Sequence, residues 1–236
     1  MLKEPSTESV PLQLAGYASV SNPKGESMYP VNSYDGITQR LSQKYWESEG
    51  RHLTGIVFAH PGFKIVKDEI IPFIRKYHLR SGDHVHFFFS GYLTHDEGKD
   101  DYMGYGDCEE IDGGAEGDNW YFSDAAFENL RSDIEKLSKW KHSGGVDLLL
   151  LDGIYKDSYM YRGFDLDFSQ VVSINLAESR EEKIIPMIPS FFEDIFRYAD
   201  QTRHEASIWD YSDKQIPNLC VLFFQIVMHG VIVLPF

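Results

Sequence analysis

The stretch from Gly55 to Tyr92 constrains the fold more than any other. It reads GIVFAH, then PGFKIVKDEIIPFIRKYHLRSG, then DHVHFFFSGY: two apolar runs with an amphipathic segment between them. That is the length and pattern of one βαβ unit. Ile56, Val57 and Phe58 form a continuous apolar run, and a strand apolar on both faces is usually covered on both faces, which favours a parallel sheet. Pro61 and Gly62 stop it. Ile70, Ile71, Phe73, Ile74 and Tyr77 recur at helical spacing, so the spacing predicts a helix over 66–81, with Pro72 tolerated near its start. Val85, Phe87 and Phe89 alternate with His84, His86 and Phe88, which predicts a strand over 84–90.

The remaining elements follow the same logic. Asp35 can cap a helix over 36–49 with Ile37, Leu41 and Tyr45 on its buried stripe. Ser123 or Asp124 opens a helix to about Lys141, with Phe127, Leu130, Ile134 and Leu137 on one face. VDLLLLD, 146–152, reads as another fully apolar strand and VVSINLA, 171–177, as a fourth. Ser190 with Glu193 fits a capping box before Phe191, Phe192, Ile195, Phe196 and Ala199. Residues 153–169 read as loop. A mostly apolar helix over 218–229 and a buried strand at VIVLPF end the chain. Strands alternating with helices predict an α/β fold, a three-layer Rossmann-like sandwich whose sheet has about five strands and is mainly parallel. With no linker rich in Pro or Ser, residues 1–236 read as one domain, 1–32 being an edge or poorly ordered segment.

Composition narrows the partners. The net charge of −15 argues against a nucleic-acid backbone as the main partner, because phosphate binding needs clustered Lys and Arg, and such an acidic balance most often simply keeps a protein soluble. Two distant cysteines, Cys108 and Cys220, and an N-terminus without an apolar core predict a reducing, cytoplasmic setting. Residues 219–236 carry no Asp, Glu, Lys or Arg. Gln225, His229, Gly230 and Pro235 within them argue for a buried helix and core strand, not a membrane span.

Residues 93–122 hold ten carboxylates against a single Lys99, together with six glycines. No helical or strand period survives there, so the segment is expected to be a long acidic loop inserted between the second strand and the next helix. Tyr102, Tyr105, Trp120, Tyr121 and Phe122 can pin it to the body. A calcium loop started at Asp112 places Gly117 correctly but Ser123 where a bidentate Glu belongs, so a solvated lid is the expectation and no metal site is assigned.

In parallel sheets ligands bind beyond the carboxyl ends of the strands. That edge carries His60 and Gly62 after the first strand, Ser90, Gly91 and Tyr92 after the second, and Asp152 and Gly153 after the third. His60, Ser90 and Asp152 could serve as base, nucleophile and orienter, with Gly62, Gly91, Tyr92 and Gly153 lining the ligand. The plainer reading is that strand ends simply carry small and polar residues; Ser90 lacks the G-x-S-x-G elbow. His84 and His86 share a strand face but lie at its start, away from the ligand edge. Asp165-x-Asp167 is the pattern of some metal–nucleotide sites, and also of ordinary loops. No phosphate-binding glycine loop, H-E-x-x-H or C-x-x-C occurs. Two functions fit these features: a small-molecule site at the carboxyl edge, hydrolytic if the triad assembles, or a non-catalytic acidic module that docks on a basic protein surface. No cofactor is specified.

Overall fold

The computed structural model describes residues 33–45, 51–81, 85–94, 108–111, 120–158, 161–169 and 171–202. The expected segment 1–32, the C-terminal helix and strand, and most of the acidic insertion lie outside the described residues.

The main sheet has five strands: β1 (Arg51–Phe58), β2 (Val85–Phe89), β6 (Asp147–Ser158), β7 (Tyr161–Leu166) and β8 (Val172–Asn175). A small antiparallel sheet contains β3 (Tyr92–Thr94), β5 (Trp120–Phe122) and β4 (Glu109–Ile111), in that order. The helices are α1 (Tyr34–Tyr45), α2 (Lys64–Glu69), α3 (Ile74–Arg80), α4 (Asp124–Leu137), α5 (Leu176–Glu181) and α6 (Ile188–Thr202).

The structure overturns the mainly parallel, Rossmann-like sheet. Only β1 and β2 run parallel, with Leu53 opposite Val85 and Val57 opposite Phe89. β6 lies antiparallel to β1, pairing Phe58 with Asp147 and Arg51 with Ile154. β6 is also antiparallel to both strands on its other side, β8 along residues 147–150 and β7 along 153–158. A run such as LLLL reports that a strand is covered on both faces, and a central antiparallel strand is covered as fully as a parallel one.

Alternation along the strands assigns the helices to faces. Phe87 and Phe89 face Tyr77 of α3 and Phe192 and Phe196 of α6, with Phe87–Phe192 ring centroids 4.9 Å apart and Tyr77–Phe192 4.6 Å apart. Phe58, on the opposite face, meets Phe127 of α4 at 5.8 Å, edge to face, and stacks on Trp140 at 4.8 Å. Leu41 of α1 lies over Gly153 on that same face. One hydrophobic cluster joins residues from α1 through α6.

Several local expectations are refined. The helix expected over 66–81 is broken at Pro72, where α2 gives way to a 3-10 turn at Ile71–Phe73 before α3 begins. Proline has no N–H to donate and its ring crowds the carbonyl four residues back. Ser123 does cap α4, its Oγ accepting the Ala126 N–H at 3.2 Å. α6 starts two residues before the expected Ser190 cap, and Glu69 instead accepts the Ile188 N–H at 2.9 Å while pairing with Arg180 at 2.8 Å. In the acidic insertion expected as loop, three-residue strands appear at both ends and, as β4, between them. Residues 161–166, expected as loop, form β7.

Among the described residues, two of the outer strands of the main sheet, β2 and β7, share a feature. Ser90 N–H bonds Val57, so alternate residues of β2 face β1 and Phe87 faces outward. The outward Phe87 N–H donates to Ser81 Oγ at 2.7 Å. On β7 the Phe164 N–H donates to Ser42 Oγ at 2.7 Å, and that hydroxyl donates in turn to the Thr38 carbonyl.

Gly55 lies in β1 directly beneath the Phe87 ring, and a Cβ there would overlap the ring carbons. Overpacking of a filled core costs about 1–3 kcal/mol. Gly55→Ala is therefore expected to lower stability by that amount in chemical denaturation, and an unchanged midpoint would contradict this packing.

Candidate functional site

β1 and β2 end side by side, and their carboxyl edge gathers His60, Gly62, Ser90, Gly91 and Tyr92. The antiparallel register removes the expected third partner. Asp152 sits opposite Leu53, five residues along β6 from the edge, roughly 17 Å away at strand rise. There its buried carboxylate accepts from Arg51 at 3.2 Å, and Arg51 also reaches Asp167 at 3.4 Å. Gly153 lies beside it, across from His52. The structure therefore separates His60 and Ser90 from Asp152 and Gly153. The aspartate that the register brings to the edge is Asp147, opposite Phe58.

The hydroxyls at the edge serve the interior. Ser90 is fully buried, and its Oγ donates to the Phe127 carbonyl at 3.3 Å. Tyr92 is buried and donates to the Ala59 carbonyl at 2.6 Å. Burial pushes the Tyr92 phenol well above its ordinary range. Gly91 adopts φ +83°, and a Cβ there would meet Phe122, Phe127 and the Ser123 carbonyl at 3.0 Å or less, so the turn requires glycine. Its carbonyl accepts the Ser123 N–H at 2.8 Å, tying β2 to the start of α4.

His60 is the candidate that reaches solvent, its side chain 39% exposed. Its Nδ1 accepts the Gly62 N–H at 2.9 Å, which leaves the proton of the neutral ring on Nε2. Nε2 lies 2.9 Å from Asp124 Oδ1 at the start of α4, and the Phe122 ring packs edge-on at 4.9 Å. Gly62 is needed beneath the ring, because a Cβ would stand 2.9 Å from Nδ1.

A second turn of the same form lies at this edge and was not singled out from the sequence. His142 Nδ1 accepts the Gly144 N–H at 3.2 Å, and Gly144 has φ +80°. The side chain is 10% exposed, and Nε2 makes no hydrogen bond, lying 3.9 Å from Asp147 Oδ2. Asp147 accepts from the Ser143 N–H at 2.7 Å and Ser143 Oγ at 2.6 Å. Both histidine rings pack edge-on against Phe127, at 5.9 Å for His60 and 5.7 Å for His142. The available signal was the H-x-G spacing at 60–62 and 142–144, each followed along the chain or across it by an aspartate.

The other candidates resolve as follows. His86 is buried and stacks on Phe88, while His84 lies outside the described residues. Asp165 takes the Tyr34 hydroxyl and Lys156, and Asp167 takes Arg51 and the Ser169 N–H. Among the described residues no group of three His, Cys, Asp or Glu is placed to hold a metal ion. Of the ten insertion carboxylates, Glu109 and Glu110 are described, both exposed on β4; the loop started at Asp112 lies outside. No helix among the described residues is long and apolar enough to cross a membrane. Compared with known proteins, the chain matches no family model, no curated protein and no solved structure.

Tyr77 behaves like Tyr92: burial, then the nearby Glu193 and Glu69 carboxylates, push its phenol up beyond its ordinary range. Both folded phenols keep protons that the unfolded chain releases above about pH 10. The stability from these two groups is full below that pH and falls as pH rises past it. Denaturation followed from about pH 9 to 11 is expected to show this loss. The slope should be shallower in Tyr77→Phe/Tyr92→Phe, and an equal slope would contradict the assignment.

Proposed function

We propose that this chain is a non-catalytic interaction domain that docks on a basic protein surface through the acidic carboxyl edge of its β1–β2 pair. One contrast at that edge supports the reading. The groups that nucleophilic chemistry would need are engaged inside the fold: Ser90 with the Phe127 carbonyl, Tyr92 with the Ala59 carbonyl, Asp152 at the far end of the sheet. Carboxylates are among the groups facing solvent there, beside Lys64, which pairs with Asp68, and Lys141, which lies near Glu135. Asp124 is 74% exposed, and Glu109 and Glu110 stand exposed on β4, where Glu109 lies opposite Phe122, the ring packed on His60. In a chain of net charge −15, such a face attracts and orients a cationic partner.

A second reading, a small-molecule site, draws on one observation: His60 is part-exposed with both ring nitrogens held. In this arrangement its Nδ1 lone pair is occupied by Gly62, so the imidazole presents no free base. The ligand it favours is one that binds the His60–Asp124 pair without being turned over.

The two readings separate on binding to a lysine- and arginine-rich peptide as a function of salt. Glu109→Lys/Glu110→Lys/Asp124→Lys is expected to weaken binding by about tenfold or more and to flatten its salt dependence. Asp35→Lys/Asp194→Lys/Asp200→Lys, with the same net charge on α1 and α6, should leave most of the affinity. Equal losses in both triples would reduce the effect to net charge and defeat the docking face. Turnover of ester, amide or phosphoester substrates that disappears in Ser90→Ala or His60→Ala would establish the hydrolytic reading instead.

A further inference from the structure

The two histidine turns are built alike. In each, a backbone N–H two residues on donates to Nδ1, which only a neutral imidazole can accept. In each, Nε2 faces an aspartate, at 2.9 Å for His60 and 3.9 Å for His142. A proton added at Nδ1 sets two donors head-on, N–H against N–H, and the glycine must leave. The same proton strengthens the attraction on the other side of the ring, where Asp124 and Asp147 stand. We propose that the carboxyl edge carries a pH-responsive pair of turns, in which proton uptake by His60 and His142 releases Gly62 and Gly144 from their imidazoles and reshapes the surface on both sides of Phe127.

The surroundings of the rings support a response at the turns, not a collapse of the core. His60 faces Asp124 and the Phe127 ring from α4 and the Phe122 ring from β5. Glu109 of β4 stands behind Phe122, and in α2 Lys64 and Asp68 pair with each other. His142 faces Asp147 from β6 and the rings of Phe58, Phe127 and Trp140. Glu135 of α4 accepts the His142 N–H at 3.0 Å and lies near Lys141 and Arg131. Aromatic rings pack against each imidazole, so the change is placed at the glycine amide. The Phe63 N–H donates to the His60 carbonyl at 3.1 Å and the Gly145 N–H to Ser143 Oγ at 3.1 Å, so each turn keeps other hydrogen bonds when its glycine leaves the imidazole. The inference stands on these two turns and does not need the docking reading.

The test is a titration of the full chain, isotope-labelled, by heteronuclear NMR from about pH 8 to about pH 5, the interval in which imidazoles charge. The ring nitrogens of His60 and His142 and the amides of Gly62 and Gly144 are followed together. Each glycine amide is expected to shift with the midpoint of its own ring. Its exchange, corrected for the intrinsic pH dependence, should accelerate by roughly tenfold, the factor for losing one ordinary hydrogen bond. His60→Ala should abolish the Gly62 response and keep that of Gly144, and His142→Ala the reverse. Should His142→Ala fail to fold, the wild-type titration and the His60→Ala arm decide by themselves. Rings that charge while both amides stay unchanged, rings that stay neutral throughout, or an amide that still titrates without its own histidine would overturn the proposal.

Discussion

The antiparallel pairing of β6 with β1 is the constraint on which the rest depends. β6 is the longest strand among the described residues, twelve residues, and it serves β1 on one side and both β8 and β7 on the other. Leu148, Leu149, Leu150 and Leu151 are buried on both faces, which fixes β6 at the centre of the sheet. Its direction then decides which end of each neighbour meets which helix. Because Asp147 starts β6 at the carboxyl edge of β1, the loop leaving α4 must return there, and that loop carries His142 and Gly144. Reversing β6 would place Asp152 at that edge and exchange the whole set of side chains beside His60.

The sequence VDLLLLD has an aspartate at each end, so the choice of direction alone selected between two candidate sites. The position of the strand was legible from its apolar run, as were β1, β2, the buried stripe of α4 and the aromatic face of α6. Those signals come from burial, which hydrophobic patterning records directly. Direction is recorded elsewhere, in register and connection geometry, and no residue of the LLLL run reports it. The strands that were missed fail for a different reason. YLT, EEI and WYF are three residues each, too short for any period to emerge, and YRGFDL interrupts its apolar positions with Gly163 and charge. Pro72 breaks the helical segment because it lies eight residues into it and not in its first turn.

At the edge itself, His60 and the glycines were legible because turns announce themselves through Pro and Gly. What could not be read was which side chains are engaged. Ser90 and Tyr92 looked like available hydroxyls, yet their partners are the carbonyls of Phe127 and Ala59, remote in sequence. Phe127 itself looked like one more member of an apolar helical stripe. In the folded chain it supports both histidine rings through its face and edges and receives the Ser90 hydroxyl through its carbonyl, so one residue couples β2, α4 and the two turns.

The serine hydroxyls at the margins of the main sheet bear on how copies of this chain behave at high concentration. An outer strand with unmatched N–H groups is a template for another strand, and β2, with its run of aromatic residues and no charge, has the composition of a self-associating segment. Ser81 fills the donor at the middle of β2, and Ser42 fills the corresponding donor of β7. On β2 or on β7, an incoming strand would have to displace a hydroxyl at the centre of its register before it could form a ladder. Among the described residues, each hydroxyl thus acts as a stopper in the hydrogen-bond row of its own strand.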